Sequence, residues 1–378
     1  MPSPACLQAV MTSSIPAEIY AIICSEVQGN GTLVTLCSTS RLLRDLAQHI
    51  LYHSVDLTGC SLRTIKSWAL SVSRNAHLAA RVQSLAIEFP EDMLDPTDAT
   101  KITLALNKCV NLKDLEVACA RFPNHSNSKH VWMIEDCPFR LHTFRNSYFT
   151  TSDTWMTKFW EAQTEIRVLA FRWGGSVPTG YLPNLLAVRA PQVSGLPLER
   201  PLQRVYTTFD NDISQLARYS QSLKTVNLER TWSSRDSLTF LGIIEILADS
   251  LPLLRHLWLV ERSKSFRGIG SDFERAPTTA LQRMSHLEDV VLHTRSITFF
   301  KEGSDGPLYS MTQSSGLEAQ ASAIMAVCPT LQRVNLGGAA ARDVELTCLL
   351  TRSTTGGIRT EHGTEFDSDA ASMFWRIS

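Results

Sequence analysis

The chain has 378 residues, of which 44% are hydrophobic and 19% charged, which excludes a disordered polymer, and its 18 Gly and 16 Pro exclude collagen-like and low-complexity classes. The length accommodates one elongated domain or several compact ones. Against 37 Asp and Glu stand 36 Lys and Arg, a formal net charge of −1, so nothing draws the chain as a whole to nucleic acid or to an anionic membrane.

Residues 1–14 contain neither a basic region nor an apolar run, and read as a flexible N-terminus, not a signal peptide. Residues 15–57 predict three helices and a short strand. Ile15-Pro16-Ala17-Glu18-Ile19 opens the first with Pro at its start, and Ile19, Ile22 and Ile23 fall on one face. Gly29-Asn30-Gly31 ends it. A second stretch runs over 32–40, a third over 41–52, and Ser54-Val55-Asp56-Leu57 is strand-like. A unit this small leans on a partner or on the chain that follows.

Ile15-Pro16-Ala17-Glu18-Ile19-x-x-Ile22-Ile23 resembles the Leu-Pro-x-Glu-Leu-x-x-x-Ile opening of the F-box, with Ile15 in place of Leu. Leu33-x-x-Leu36-Cys37-Ser38-Thr39-Ser40-Arg41-x-x-Arg44-x-Leu46-Ala47 is similar to its second half, and residues 51–57 are similar to the stretch that leads into fungal repeat arrays. The resemblance implies docking onto the Skp adaptor of a cullin–RING ubiquitin ligase. Ile15, Pro16, Ile19, Ile22, Leu33 and Leu36 are then surface anchors of a helix–helix interface. The alternative is that they form the core of the small helical unit.

From residue 58 to 378 the dominant feature is a recurring hexamer: apolar, two variable, apolar, one variable, apolar. It begins at Val82, Leu112, Leu141, Ile166, Leu185, Leu202, Leu223, Leu254, Leu287 and Leu331, at separations of 17 to 44 residues. Its last two apolar positions are two apart, the strand period. Helices are predicted over 97–109, 153–163, 236–250 (with Asp236 as cap) and 316–328. The separations of 19 and 17 in the middle leave room only for loops. Short strand–helix units bury their apolar faces by stacking. Residues 81–337 resemble a degenerate leucine-rich repeat array lacking the Asn or Cys expected after most strands. The expected fold class is therefore α/β: an F-box-like three-helix unit, then an irregular leucine-rich-repeat solenoid, a curved and mainly parallel sheet with outer helices and a C-terminal cap. The competing architecture is an ordinary doubly wound α/β domain, whose strands read as longer apolar runs.

The variable positions beside the apolar ones share the other face of each strand. That count places Arg145, Arg172, Arg189 and Arg204 on an exposed concave side, with Tyr206 and Trp258 further along. They form a candidate patch for an acidic or phosphorylated segment of a client protein; the alternative is solvated arginines paired with local acids such as Glu165 and Glu199.

Catalytic constellations are not evident. There is no phosphate-binding Gly-rich loop, no Cys-x-x-Cys pair and no nucleophile elbow. His49 and His53 have a zinc-compatible spacing without a third ligand nearby and read as ordinary helix histidines. No cofactor and no metal is therefore expected. Nine Cys without paired spacing indicate a reducing compartment, cytoplasmic or nuclear. The tail predicts a helix over 343–351 and a closing strand over 373–377, and 261–278 and 301–315 read as loops. Together these features predict a non-catalytic adaptor with a Skp-type partner, a cullin–RING ligase reached through it, and a client protein, but neither nucleic acid nor membrane. The alternatives are a repeat scaffold without a ubiquitin role and an enzyme on an α/β fold.

Overall fold

The computed structural model describes residues 15–363 except 28, 90–93, 120–129, 150–152, 172–179, 209–212, 231–239, 262–271, 276, 295–296, 301–313, 340–344 and 355. The predicted flexible N-terminus and the closing strand expected over 373–377 lie outside the described residues. Two compact units make up the chain: Met1–Phe122 with Trp132–Arg140, and Pro123–Val131 with Leu141–Ser378.

The first unit opens with α1 (Ala17–Ser25), α2 (Asn30–Leu36) and α3 (Arg41–His53). Gly29 separates the first two at a φ of 109°, a left-handed value that glycine tolerates without a Cβ clash. Ser40 caps α3 by accepting a hydrogen bond from the Leu43 amide at 3.2 Å. Strand β1 (Ser54–Leu57) follows directly, then α4 (Leu62–Arg74), α5 (Ala76–Ala79), β2 (Ser84–Phe89), α6 (Pro96–Leu106), β3 (Asp114–Cys119) and α7 (Trp132–Glu135). Helix α6 begins where the sequence places its signals: Asp95 accepts from the Thr97 amide at 2.8 Å and Pro96 takes the first turn. The strands run parallel and in register, Val55 against Leu85 against Leu115 and Leu57 against Ile87 against Val117, and all six side chains are buried. Because β1 hydrogen-bonds to β2, Leu57 is not a boundary between compact units.

The second unit contains β4 (Thr143–Asn146), α8 (Asp153–Ala162), β5 (Val168–Phe171), β6 (Ala187–Ala190), β7 (Arg204–Thr208), β8 (Thr225–Arg230), α9 (Phe240–Ser250), β9 (His256–Glu261), β10 (Asp272–Arg275), α10 (Thr278–Gln282), β11 (Asp289–Thr294), β12 (Ile297–Phe300), α11 (Ser314–Val327), β13 (Arg333–Ala339), β14 (Glu345–Arg352) and β15 (Ile358–Gly363). Strands β4 to β9, then β11 and β13, lie side by side in chain order; β14 and β15 continue the sheet antiparallel, while β10 and β12 pair separately.

Each of the ten hexamers starts a strand two residues after its first apolar position, and that first residue is at most 1% exposed in every case. Between β5 and β8 the described connections contain only 3-10 turns, at Val193–Gly195 and Ile213–Tyr219, as the short separations require. The helices expected around 97–109, 153–163 and 316–328 are α6, α8 and α11; α9 is the described part of the one over 236–250, whose Asp236 lies outside the described residues. Two expectations are corrected. Residues 343–351 do not form a helix: β14 occupies 345–352, because Cys348 and Leu350 alternate with half-buried neighbours at the strand period and pair with Leu336 and Val334. The loop expected over 261–278 holds β10. Among the described residues no helix is long and apolar enough to cross a membrane.

Candidate functional site

Two surfaces carry the residues the sequence singles out. The first belongs to α1–α3. Helix α1 carries Ile19, Ile22 and Ile23 at i, i+3 and i+4 and buries only Cys24. Ile15 is 49% exposed, Ile19 45%, Ile22 58% and Ile23 51%, and Pro16 is exposed as well. Leu36 is half-buried, but Leu33 is 3% exposed. Leu33 therefore belongs to the interior of the unit with Cys24 and Ala47, a correction to its reading as a surface anchor. Val34 and Leu42 were missed; both stand outside, at 59% and 41%. The signal for them is arithmetic: a unit this small has more apolar side chains than interior. Six of the 13 large apolar side chains exposed among the described residues fall between 15 and 42, and such clustering is uncommon on a surface that has no partner.

The second surface is the variable face of the sheet in the second unit. Register fixes its rows. One runs Arg145, Ala170, Arg189, Tyr206, Asn227, Trp258, Val291, Asn335; the neighbouring row runs Ala187, Arg204, Thr225, His256, Asp289, Arg333. Arg145 and Arg189 are thus two strands, about 9.6 Å, apart in one row, Arg204 stands in the other, and Arg172 lies outside the described residues. Tyr206 and Trp258 are each 2% exposed and pack with Ala170, Ala187, Val260 and Val291, which corrects their placement on an open face. The face buries them because its central slots are filled by apolar and aromatic side chains, a second apolar cluster opposite the Leu-lined core.

Polar chemistry frames that cluster. The Arg189 guanidinium sits 4.2 Å over the Tyr206 ring, and the Tyr206 hydroxyl donates to the Glu229 carboxylate. Burial lowers the pKa of Arg204. Asp289 accepts from Arg333 Nε at 2.6 Å and lies 3.2 Å from His256 Nδ1. Asn227, Glu229, His256, Asp289 and Arg333 were missed, although Asn227 occupies the same fifth hexamer slot as Tyr206 and Trp258, and His256, Asp289 and Arg333 the same third slot as Arg204; Glu229 falls just past its hexamer. At the starts of β9, β11 and β13 an open cleft of about 410 Å³ is lined by Arg255, His286, Glu288, Thr330 and Gln332, with Arg255 Nη1 3.3 Å from Glu288 Oε1. It opens at the opposite strand ends from those that hold ligands in open α/β sheets. The His49 and His53 rings are 5.9 Å apart, and no group of three or more possible metal ligands occurs among the described residues.

No protein-family model matches the chain, and no curated protein sequence matches it. Among solved structures, an ADP complex of Bacillus subtilis pyridoxal kinase is similar over 65% of this chain and 70% of that one, at 10% identity and a TM-score of 0.20. A likeness at that level carries no argument about fold or function.

Proposed function

We propose that this chain is a non-catalytic substrate-recognition adaptor of a Skp–cullin–F-box ubiquitin ligase. Its F-box-like helices dock the Skp-type adaptor, and its leucine-rich-repeat-like ladder binds a client protein; other subunits carry out ubiquitin transfer, and this chain contributes proximity. The observation that carries the reading is the exposed isoleucine face of α1, Ile19, Ile22 and Ile23, with Ile15 just before the helix, all near half-exposed, on the segment that resembles the F-box opening. Eight unbridged cysteines among the described residues suit a reducing, cytoplasmic or nuclear setting. The test is co-purification of the Skp adaptor with the full chain, wild type and Ile19→Asp with Ile22→Asp. Recovery by the wild type and at least tenfold loss in the variant, at unchanged melting temperature, supports the reading; a wild-type chain that recovers no Skp adaptor overturns it.

A second reading, a repeat scaffold without a ubiquitin role, is favoured by one observation. Strand β1 pairs in register with β2, as expected if α1–α3 serve to end the ladder. The same experiment separates the two, since a pure end-cap recovers no adaptor.

A further inference from the structure

Asn227 is 0% exposed, and both its side-chain amide atoms lack a hydrogen-bond partner among the described residues. Its neighbour across the strands, Trp258, is 2% exposed and its indole Nε1 is likewise unpartnered. Three strands along the same row, Asn335 is half-buried, and its Oδ1 is itself buried and unpartnered among the described residues. Buried polar atoms are nearly always satisfied, so a cluster of exceptions requires a cause. Position supplies one. Tyr206 and Trp258 flank Asn227 from strands about 9.6 Å apart, yet their ring centroids are only 5.8 Å apart, tilted by 33°. The two rings lean toward one another across the row that Asn227 occupies.

We infer that this row reads the main chain of an extended client peptide, with the Tyr206–Trp258 pair parting to admit it. The complement is specific. In an extended chain the N–H and C=O of one residue point to the same side, so one asparagine amide donates to the carbonyl and accepts from the N–H of a single residue. Trp258 Nε1 donates to a further carbonyl, and Asn335 Oδ1 accepts from an N–H. Asn227 to Asn335 spans three strand spacings, about 14 Å, or roughly four residues of extended peptide. All four unpartnered atoms belong to neutral groups, which suits a peptide amide better than the phosphate or carboxylate that the arginines alone would suggest. The inference rests on the reading that this sheet face captures the client, and does not depend on the Skp adaptor.

A phage-displayed library of random 12-residue peptides selected on the full chain supplies the probe, and fluorescence anisotropy measures the enriched peptides. The expected result is enrichment, with binding weakened at least tenfold by Asn227→Leu while the free protein's melting temperature holds or rises, because an unsatisfied amide has been removed. Trp258→Phe, which keeps a ring and loses only the N–H, weakens binding several-fold. Replacing one peptide amide by an ester weakens wild-type binding at a defined position and leaves binding to Asn227→Leu unaffected. Three results overturn the inference: no enriched peptide, equal affinity of wild type and both variants, or an ester scan without effect. Failure here with Skp recovery intact removes only this inference, and peptide binding without Skp recovery removes only the ligase.

Discussion

Cys109 and Cys137 are 0% and 4% exposed, and burial pushes both thiols up to about 12. In the unfolded chain such a thiol ionises near its ordinary value of 9.0. The folded state therefore keeps the proton longer, and the stability each thiol contributes is present in full below that pH and lost as the pH rises through the interval. Each thiol removes at most about 1.4 kcal/mol per pH unit. Urea unfolding followed from pH 8 to 11 is expected to hold nearly level to about pH 9 and to lose stability above it, and Cys109→Val to flatten that slope; an unchanged slope would mean that the Cys109 thiolate is accommodated. Leucine and isoleucine in the helical unit give a second residue-scale contrast. Leu33→Ala deletes an interior side chain and is expected to cost about 2–4 kcal/mol, whereas Ile22→Asp, at an exposed position, stays within about 0.5 kcal/mol. Denaturant midpoints of the two variants check this. In the sequence the two residues look alike, because a small amphipathic unit with apolar residues on several faces does not declare which face is inward.

At the scale of elements, the hexamer legislates for strands because it combines three buried side chains with the period-2 alternation, and every one of its copies is a strand. The helices were legible where caps and periodicity coincide, as at Asp95-Pro96 and α6. What escaped was β14, whose leucines at 346, 349 and 350 also satisfy a helical period; the edge of β13, needing a hydrogen-bonded neighbour, decides between the two readings. The second apolar face of the sheet is hidden for a related reason: the hexamer pattern alone points its variable slots to solvent, but occupancy by Ala170, Tyr206, Trp258 and Val291 makes them a core. Helices α4 and α6 supply the testable contact at this scale. Lys66 Nζ donates to Asp98 at 2.9 Å and Lys101 Nζ at 3.0 Å, and these bonds, Lys66 first, hold the Asp98 carboxyl below the usual carboxylate range. A depressed carboxyl contributes stability above its ordinary pKa and loses it as the pH falls. Both lysines are well exposed, at 38% and 50%, so solvent screening limits the gain. Asp98→Asn is expected to cost under about 1 kcal/mol at pH 7. The two proteins converge in thermal stability only as the pH falls below 3.8 and on through the depressed folded-state value, and a gap that persists once Asp98 is protonated in the folded state would show that it acts through packing.

For the molecule as a whole, the ladder was readable from the hexamers, and the division into units was not. Composition shifts at residue 57, where helices give way to repeats, but hydrogen bonding does not: β1 belongs to the ladder of the first unit, Ser54 to Leu57 facing Ser84 to Ile87. Cutting the chain after Leu57 therefore does more than remove the proposed docking segment. It strips β2 of its neighbour and leaves a row of unpaired backbone groups beside Leu85 and Ile87, the geometry that promotes edge-to-edge association. A chain beginning at residue 58 is expected to form concentration-dependent oligomers in size-exclusion chromatography with light scattering, whereas one beginning at residue 15 keeps the same number of copies per particle as the full chain. If the shorter chain remains monomeric and as stable as the longer, β1 contributes little and the helices form an independent module after all. The consequence for function is direct: loss of a partner on deleting the first 57 residues conflates docking with damage to the ladder, and the isoleucines of α1, which are about half-exposed and lie outside the paired strand β1, are where a docking test reads more cleanly.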